Sequence, residues 1–145
     1  MSDPPIIDRS AQQAHTWLSR IAAELGVDDQ RDAYRALRGV LHTIRDRLTV
    51  EESAQLAAQL PTLIRGIYYE GWKPSRVPET YDDVDSFLER VTDVGRLNGR
   101  TQASIATQAV AKVLAANVSP GEFEDVLGML PESLRRLLRA ADSSG

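Results

Sequence analysis

Apolar side chains recur three and four residues apart along most of the chain, which is the periodicity of amphipathic α-helices. The first such stretch carries Ala14, Trp17, Leu18, Ile21 and Leu25. No stretch alternates apolar and polar residues over a sustained run, and no Asn-Gly or Asp-Gly turn is flanked by β-branched runs. The pattern therefore predicts an all-α fold of six to eight helices.

The same apolar pattern occurs twice. When the chain is aligned on itself without gaps, Trp17 falls on Phe87, a shift of 70 residues, and the match continues to Ile67. Further coincident positions are Ile21 and Val91, Ile44 and Leu114, Leu48 and Val118, and Pro61 and Pro131. Self-similarity at a fixed spacing indicates an internal repeat. We predict two tandem copies of a three-to-four-helix unit, packed as one compact bundle.

The predicted organisation is a single domain over residues 1–145. Copy one spans 11–72, a linker spans 73–80 and copy two spans 81–141. The linker sequence, KPSRVPET, contains two prolines, and proline lacks the backbone N–H that a continuing helix requires. The two copies are therefore expected to be separate helical units joined by a non-helical segment.

Both copies carry the same helix-boundary signals. These are a glycine near the end of the first helix, an N-capping Asp or Asn before the second, an S/T-x-x-E capping box before the third, and a proline that starts a short fourth helix. In chain order they are Gly26, Asp28, Thr49–Glu52 and Pro61, then Gly95, Asn98, Ser119–Glu122 and Pro131. In a capping box, the hydroxyl and the carboxylate each accept a hydrogen bond from a free backbone amide.

The amino-acid composition mainly excludes certain classes of protein and of functional site. Apolar residues make up 42% of the chain and charged residues 26%, which is typical of a folded globular protein. The absence of cysteine excludes disulfides, thiolate metal sites and a cysteine nucleophile. Residues 1–10 lack the apolar core of a secretory signal, and no stretch approaches the roughly 18 apolar residues of a membrane span. We expect a cytoplasmic protein that does not cross a membrane.

Catalytic and metal-binding patterns are not found. The two histidines, His15 and His42, lie on different predicted helices, and no Glu-x-x-His motif occurs. The acidic clusters fall at predicted helix starts, where negative charge complements the helix dipole. There is also no G-x-S-x-G elbow and no glycine-rich phosphate loop. We expect no catalytic residue, no metal, no cofactor and no enzymatic activity.

A row of basic side chains recurs along the second predicted helix, on the side opposite its apolar residues. This basic face consists of Arg31, Arg35, Arg38, His42 and Arg45. One interpretation is a solvated surface whose charge is offset by neighbouring acids, and the other is a binding surface. The corresponding residues of copy two are Thr101, Ile105, Gln108, Lys112 and Ala115, so the repeated fold does not require the basic face.

An aromatic segment ends copy one. Tyr68, Tyr69 and Trp72 lie close to Arg65 and Lys73, and aromatic residues combined with arginine are common in recognition surfaces. Alternatively, Tyr68 and Trp72, four residues apart, pack copy one against copy two across the linker.

Arg65 and Arg135 occupy equivalent positions, four residues after each repeated proline. They could clamp a carboxylate or phosphate in a pocket between the copies. The alternative is that they pair with acids or with backbone carbonyls that close the bundle. These alternatives differ in whether the two arginines line a cavity.

Residues 33–75 resemble the prokaryotic family known as domain of unknown function 2267. The resemblance rests on RDRL at 45–48, AQLP at 58–61 and RGIYYEGW at 65–72. It continues in copy two with GEFEDVLGMLP at 121–131, so it extends from about residue 10 to about residue 140. The resemblance implies a small prokaryotic helical protein and brings with it no reaction, cofactor or catalytic residue.

We favour a non-enzymatic module that presents the basic face or the aromatic segment to a protein partner. An anion or nucleic-acid binder using the arginines of the basic face is one alternative, although a net charge of −4 weighs against nucleic acid. A small-ligand carrier with a cleft between the copies is another. Self-association is also considered, because copy two carries more acid than base.

Overall fold

A computed structural model describes residues 4–143, with side chains to residue 139, and all regular structure in this range is helical. The elements are α1 (Pro5–Leu25), α2 (Gln30–Arg47), α3 (Val50–Ala58), α4 (Thr62–Tyr69), a 3₁₀ turn (Pro74–Arg76), α5 (Val84–Gly95), α6 (Arg100–Asn117), α7 (Pro120–Gly128) and α8 (Glu132–Ser143). The predicted all-α fold of six to eight helices is confirmed, since these residues form eight α-helices and no strand. Over the same residues, no helix combines the length and apolar character needed to cross a membrane.

The repeated capping signals of the third helices are used in both halves. The Thr49 hydroxyl accepts a hydrogen bond from the Glu52 amide at 3.2 Å, and the Ser119 hydroxyl accepts one from the Glu122 amide at 3.2 Å. Pro61 then caps the start of α4. The boundaries of α3, α4 and α7 are therefore set by residues within one turn of each helix end.

The second helix of each half begins one residue later than predicted. Asp29, and not Asp28, caps α2, because its carboxylate accepts a hydrogen bond from the Arg31 amide at 2.8 Å. Gly99, and not Asn98, precedes α6, with a φ of 142° that a glycine adopts without strain. The predictions of Asp28 and Asn98 as caps are thus wrong by one position each.

Helix α2 is the centre of the bundle. It packs against α1, α4, α5 and α6, and from Ala36 to Arg45 every residue except Arg38 is buried. A helix enclosed by four neighbours has no broad solvent-facing side. The polar residues of α2 must therefore find hydrogen-bond partners inside the protein.

Helices α2 and α5 cross at two glycines. A Cβ atom added to Gly39 would lie 2.8 Å from the Val91 carbonyl oxygen and 3.1 Å from the Gly95 Cα. A Cβ atom added to Gly95 would lie 2.8 Å from the Arg35 carbonyl oxygen. The two backbones therefore touch without side chains between them, which positions the N-terminal half of α2 beside the end of α5.

A cluster of buried apolar residues contains members from all eight helices. Representatives in helix order are Trp17, Leu37, Leu56, Ile64, Phe87, Val110, Leu127 and Leu134. Helices α2 and α6 have 18 residues each, and α3 and α7 have nine each. The first helices differ, with 21 residues in α1 and 12 in α5.

Candidate functional site

The predicted basic face divides into an exposed part and a buried part. Arg31 and Arg35, near the start of α2, are exposed, and Arg38 is half-buried. His42 and Arg45 are each only 4% exposed. The prediction that they lie on a solvent-facing side of α2 is wrong, because α4 and the residues after it cover that side.

His42 and Arg45 donate hydrogen bonds to the end of α4. The His42 Nε2–H donates to the Ile67 carbonyl at 2.7 Å, and one Arg45 nitrogen donates to the Tyr68 and Glu70 carbonyls at 2.9 and 2.8 Å. The last carbonyls of a helix lack partners within the helix, and positive charge is favourable beside them. Burial lowers the pKa of His42, which favours the neutral form of its ring.

Arg38 and Arg65 bind the ends of two other helices in the same way. Arg38 donates to the Val94 carbonyl of α5 at 2.8 Å. Arg65 donates to the Ala57 and Leu60 carbonyls, at the end of α3, at 2.8 and 3.0 Å. The geometry of Arg65 matches the interpretation in which it closes the bundle through carbonyls.

The exposed end of the basic face is paired with acids. Arg31 lies 3.2 Å from the Asp29 carboxylate, and Arg35 pairs with Asp32. Hydrogen bonds from the Arg31 amide and side chain lower the pKa of Asp29. Little unbalanced positive charge is therefore left on this face for a nucleic acid.

The aromatic segment is largely internal. Tyr68 is fully buried, and its hydroxyl donates to the Ser53 hydroxyl of α3 at 3.1 Å. The Tyr69 ring lies between Tyr68 and Trp72, with ring centroids 5.3 and 5.1 Å apart, and both Tyr69 and Trp72 are half-buried. Lys73 is exposed beside them. Tyr68 thus joins α4 to α3 within the first half of the chain.

A cleft of about 380 Å³ opens where the end of α1, the first turns of α2, the α5–α6 loop and α6 meet. Its apolar wall contains Leu25, Val27, Leu97 and Ile105. Val27 is 36% exposed and Ile105 is 46% exposed, so part of this wall faces solvent. The cleft lies between the first and second halves of the chain, and Arg65 and Arg135 do not line it.

Two arginines lie on the polar side of the cleft, and they differ in whether an acid is paired with them. Arg35 is paired with Asp32, which also lines the cleft. Arg96 is exposed, and no residue that the structure describes forms an ion pair with it. Asn98 and Gln102 complete this side. The cleft therefore combines apolar surface with one guanidinium that is available to an anionic group.

Arg96 is the functional candidate that the sequence analysis missed. It caps the end of α5 in the left-handed conformation, with a φ of 54°, where glycine is the usual residue. In the first half the same role at the end of α1 is taken by Gly26, with a φ of 76°. The self-alignment places Gly26 on Arg96, so the departure from glycine was visible in the sequence.

A second polar cluster joins α3 to α7. Carboxylate oxygens of Glu52, Glu122 and Asp125 lie within 4.8 Å of one another, and an oxygen of Glu52 and one of Glu122 are buried without a hydrogen-bond partner. Burial, together with the Glu52 carboxyl, raises the pKa of Glu122 to about 7. The N-terminal ends of α3 and α7 lie beside the cluster, and their positive dipoles oppose a bound cation.

Comparison with protein families identifies a family model that matches most of the chain. The family model described as "Uncharacterized conserved protein (DUF2267)" matches residues 14–137. This is the family that the RDRL, AQLP and RGIYYEGW motifs resemble, so that prediction is confirmed. No curated protein matches the chain.

Proposed function

The chain belongs to the DUF2267 family of uncharacterised conserved proteins, and we propose that it is a non-enzymatic binding module for a partner protein. The segment that it recognises carries an apolar side chain next to an acidic one, and it binds in the cleft between α1, α2 and α6. The observation that carries this proposal is the exposed arginine, Arg96, beside the exposed apolar residues Val27 and Ile105. Arginine and apolar surface in one concave site are typical of recognition surfaces.

The apolar wall supports a protein segment as the occupant. Val27 and Ile105 are rim residues, and a bound apolar side chain would remove them from water at about 25 cal/mol for each Å² buried. The volume, about 380 Å³, is near the lower end of the roughly 300–1,000 Å³ range of ligand sites. It suits one or two side chains of a longer segment that continues across the rim.

The backbone of Arg96 supports a role for its side chain. A residue with a Cβ atom in the left-handed conformation costs about 1–2 kcal/mol, and Gly26 makes an equivalent helix end without that cost. Strain of this kind is characteristic of functional positions. The guanidinium reaches the cleft from a helix end, where it complements a carboxylate of the partner.

We place the interaction surface at the cleft, and not on the predicted basic face or aromatic segment. His42, Arg45 and Tyr68 are committed to internal hydrogen bonds, so they position helices and do not contact a partner. Arg35 is the residue that the basic face and the cleft have in common. We propose that it assists Arg96 once a partner's carboxylate competes with Asp32.

We also propose that the two halves are tandem copies of one unit, with the cleft at their junction. Helices α2 and α6 begin and end 70 residues apart, as do α3 and α7. Residues lining the cleft occur in pairs with the same spacing: Val27 and Leu97, Asp32 and Gln102, Arg35 and Ile105, Ala36 and Ala106. The equivalent positions that differ most, Arg35 and Ile105, give the cleft one basic and one apolar side.

The test is a selection of random peptides displayed on phage against the immobilised full chain, followed by affinity measurement with synthetic peptides. We expect enriched sequences in which Asp or Glu adjoins Leu, Ile or Val. Ile105→Asp and Arg96→Gly should each weaken the selected peptide at least tenfold. Leu63→Asp is the matched control, because Leu63 is also 46% exposed but lies on α4, away from the cleft.

Two results would overturn the proposal. One is the absence of enrichment, and the other is binding that Ile105→Asp and Leu63→Asp weaken equally. Arg136→Ala, which removes an exposed arginine on α8, controls for net charge. Peptides that bind through acid alone, with affinity falling steeply as salt rises, would instead indicate a general anion binder.

A further inference from the structure

The contact between α3 and α7 contains an incomplete capping box at each helix start. The hydrogen bond to the capping hydroxyl is present at both starts, since the Thr49 and Ser119 hydroxyls accept from the backbone amides of Glu52 and Glu122. In a complete box, the glutamate accepts in return from the N-cap amide. The Ser119 amide instead donates to the Gln59 side-chain oxygen at 2.6 Å, and the Gln59 side-chain nitrogen donates to the Ser119 hydroxyl at 3.1 Å.

Gln59 therefore leaves the Glu122 carboxyl without its usual partner. Glu122 is only 7% exposed, and its Oε1 has no hydrogen-bond partner among the described residues. The buried Oε1 of Glu52 is also without one. The two carboxyls face each other, with oxygens within 4.8 Å. Glu52 is half-buried, so two charged carboxylates at this distance repel each other in a partly desolvated setting, whereas a protonated carboxyl can donate a hydrogen bond to a charged one.

We propose that Glu52 and Glu122 share one proton and form a pH-sensitive latch between α3 and α7. With the proton present, one carboxyl donates a hydrogen bond to the other and the helices are held together. When the proton leaves, two negative charges repel each other across the same contact. The latch lies where the first half of the chain meets the second.

Charged groups around the pair favour the proton. Those acting on Glu122 are Glu52 from α3 and Asp125 from its own helix, and both are acidic. Lys112 of α6 pairs with Glu24 and Arg139 of α8 pairs with Glu124, and among the described residues no cationic side chain contributes to the shifted pKa of Glu122. Burial and the negative neighbours oppose the N-terminal dipoles of α3 and α7, which favour the charged form, and they raise the pKa of Glu122 to about 7.

The direction of the pH effect follows from this raised pKa. In the unfolded chain, a glutamate loses its proton near pH 4.5, whereas the folded protein retains it up to about pH 7. The latch therefore stabilises the folded protein fully below about pH 4.5, and this stabilisation is lost as the pH rises through 7. Over this window, the unfolding equilibrium constant should rise on the order of 100-fold from the latch alone.

The experiment is urea unfolding of the full chain, followed by circular dichroism, from about pH 5 to about pH 8. Glu122→Gln and Glu52→Gln each remove one carboxyl, and Glu124→Gln is the control on the same helix. At every pH we take the ratio of the unfolding equilibrium constants of wild type and variant, because this ratio cancels the titration of groups such as His42. From about pH 5 to about pH 8, the ratio should change on the order of 100-fold for Glu122→Gln and stay constant for Glu124→Gln.

A double-mutant cycle distinguishes a shared proton from a single buried glutamate. The coupling between Glu52→Gln and Glu122→Gln should be favourable near pH 5 and reverse sign near pH 8. Carbon-13 NMR of the wild-type side chains provides a check without mutation, with a Glu122 carboxyl midpoint expected near pH 7. A midpoint below about 5, or coupling that does not depend on pH, would refute the latch.

Divalent cations form the final arm of the test. Millimolar calcium or magnesium should leave the stability of the wild type at pH 8 unchanged. Stabilisation by either ion that is lost in Glu122→Gln would show that the cluster holds a cation in place of the proton.

Discussion

The crossing of α2 and α5 allows a sharp test of the fold. Gly39→Ala should destabilise the protein, because the new methyl carbon would lie 2.8 Å from the Val91 carbonyl oxygen and 3.1 Å from the Gly95 Cα. Both contacts are with backbone atoms, which cannot rotate away as a side chain can. The helices must separate, and this also stretches the 2.8 Å hydrogen bond from Arg38 to Val94.

The expected magnitude combines two opposing effects. Inserting a methyl group into a closely packed contact costs about 1–3 kcal/mol. Alanine is a better helix former than glycine by about 1 kcal/mol, which offsets part of this cost. Because two rigid backbones must move, we expect the steric effect to exceed the gain, with a net loss of about 1–2 kcal/mol in the free energy of unfolding.

The assay is equilibrium urea unfolding of the wild type, Gly39→Ala and the control Gly66→Ala. Gly66 lies inside α4, and a Cβ atom there would meet no heavy atom within 4 Å. Gly66→Ala should therefore stabilise by about 0.5–1 kcal/mol through helix propensity alone. The same substitution thus has opposite signs at the two sites. If both alanine variants were equally stabilised, the close approach of α2 and α5 would be refuted.

Three further predictions concern side chains of the site and its support. Arg96→Gly should raise the free energy of unfolding by about 1 kcal/mol, measured by urea unfolding, because glycine relieves the left-handed strain. Arg45→Met should lower it by about 2–4 kcal/mol in the same assay, because the Tyr68 and Glu70 carbonyls lose a buried donor. Burial lowers the pKa of His42 below 6.5, so wild-type stability should decline, relative to His42→Gln, as the pH falls below about 6.5 in parallel urea titrations.

The helices and several of their boundaries were predictable because their signals are local. Period-3.6 apolar residues and the capping hydroxyls Thr49 and Ser119 act within one or two turns. The proline that starts α4, Pro61, also acts on its own neighbourhood. Such signals depend on backbone chemistry that is the same in any fold, which explains why their positions hold in the structure.

The fate of the basic face was not predictable in the same way. The apolar residues of α2 define one buried side, but they do not reveal that α4 covers another. His42 and Arg45 are buried because distant carbonyls, those of Ile67, Tyr68 and Glu70, need donors. The small residue Gly39 on α2 signals the close approach of α5 and not the cover by α4.

The proposed duplication explains why the two candidate sites differ in kind. Where equivalent positions of two copies meet at a junction, a residue faces its own counterpart, and Glu52 therefore faces Glu122. A like-charged pair is then unavoidable unless one copy changes, and a shared proton is the simplest way to keep both.

At the cleft, the two proposed copies differ. Glycine at 26 corresponds to Arg96, and arginine at 35 corresponds to an exposed apolar residue, Ile105. On the proposed duplication, identity at the junction brings two carboxyls together, whereas divergence at the cleft gives the asymmetric surface that we propose a partner recognises. Comparing the copies for their differences is therefore the route by which sequence alone could have identified Arg96.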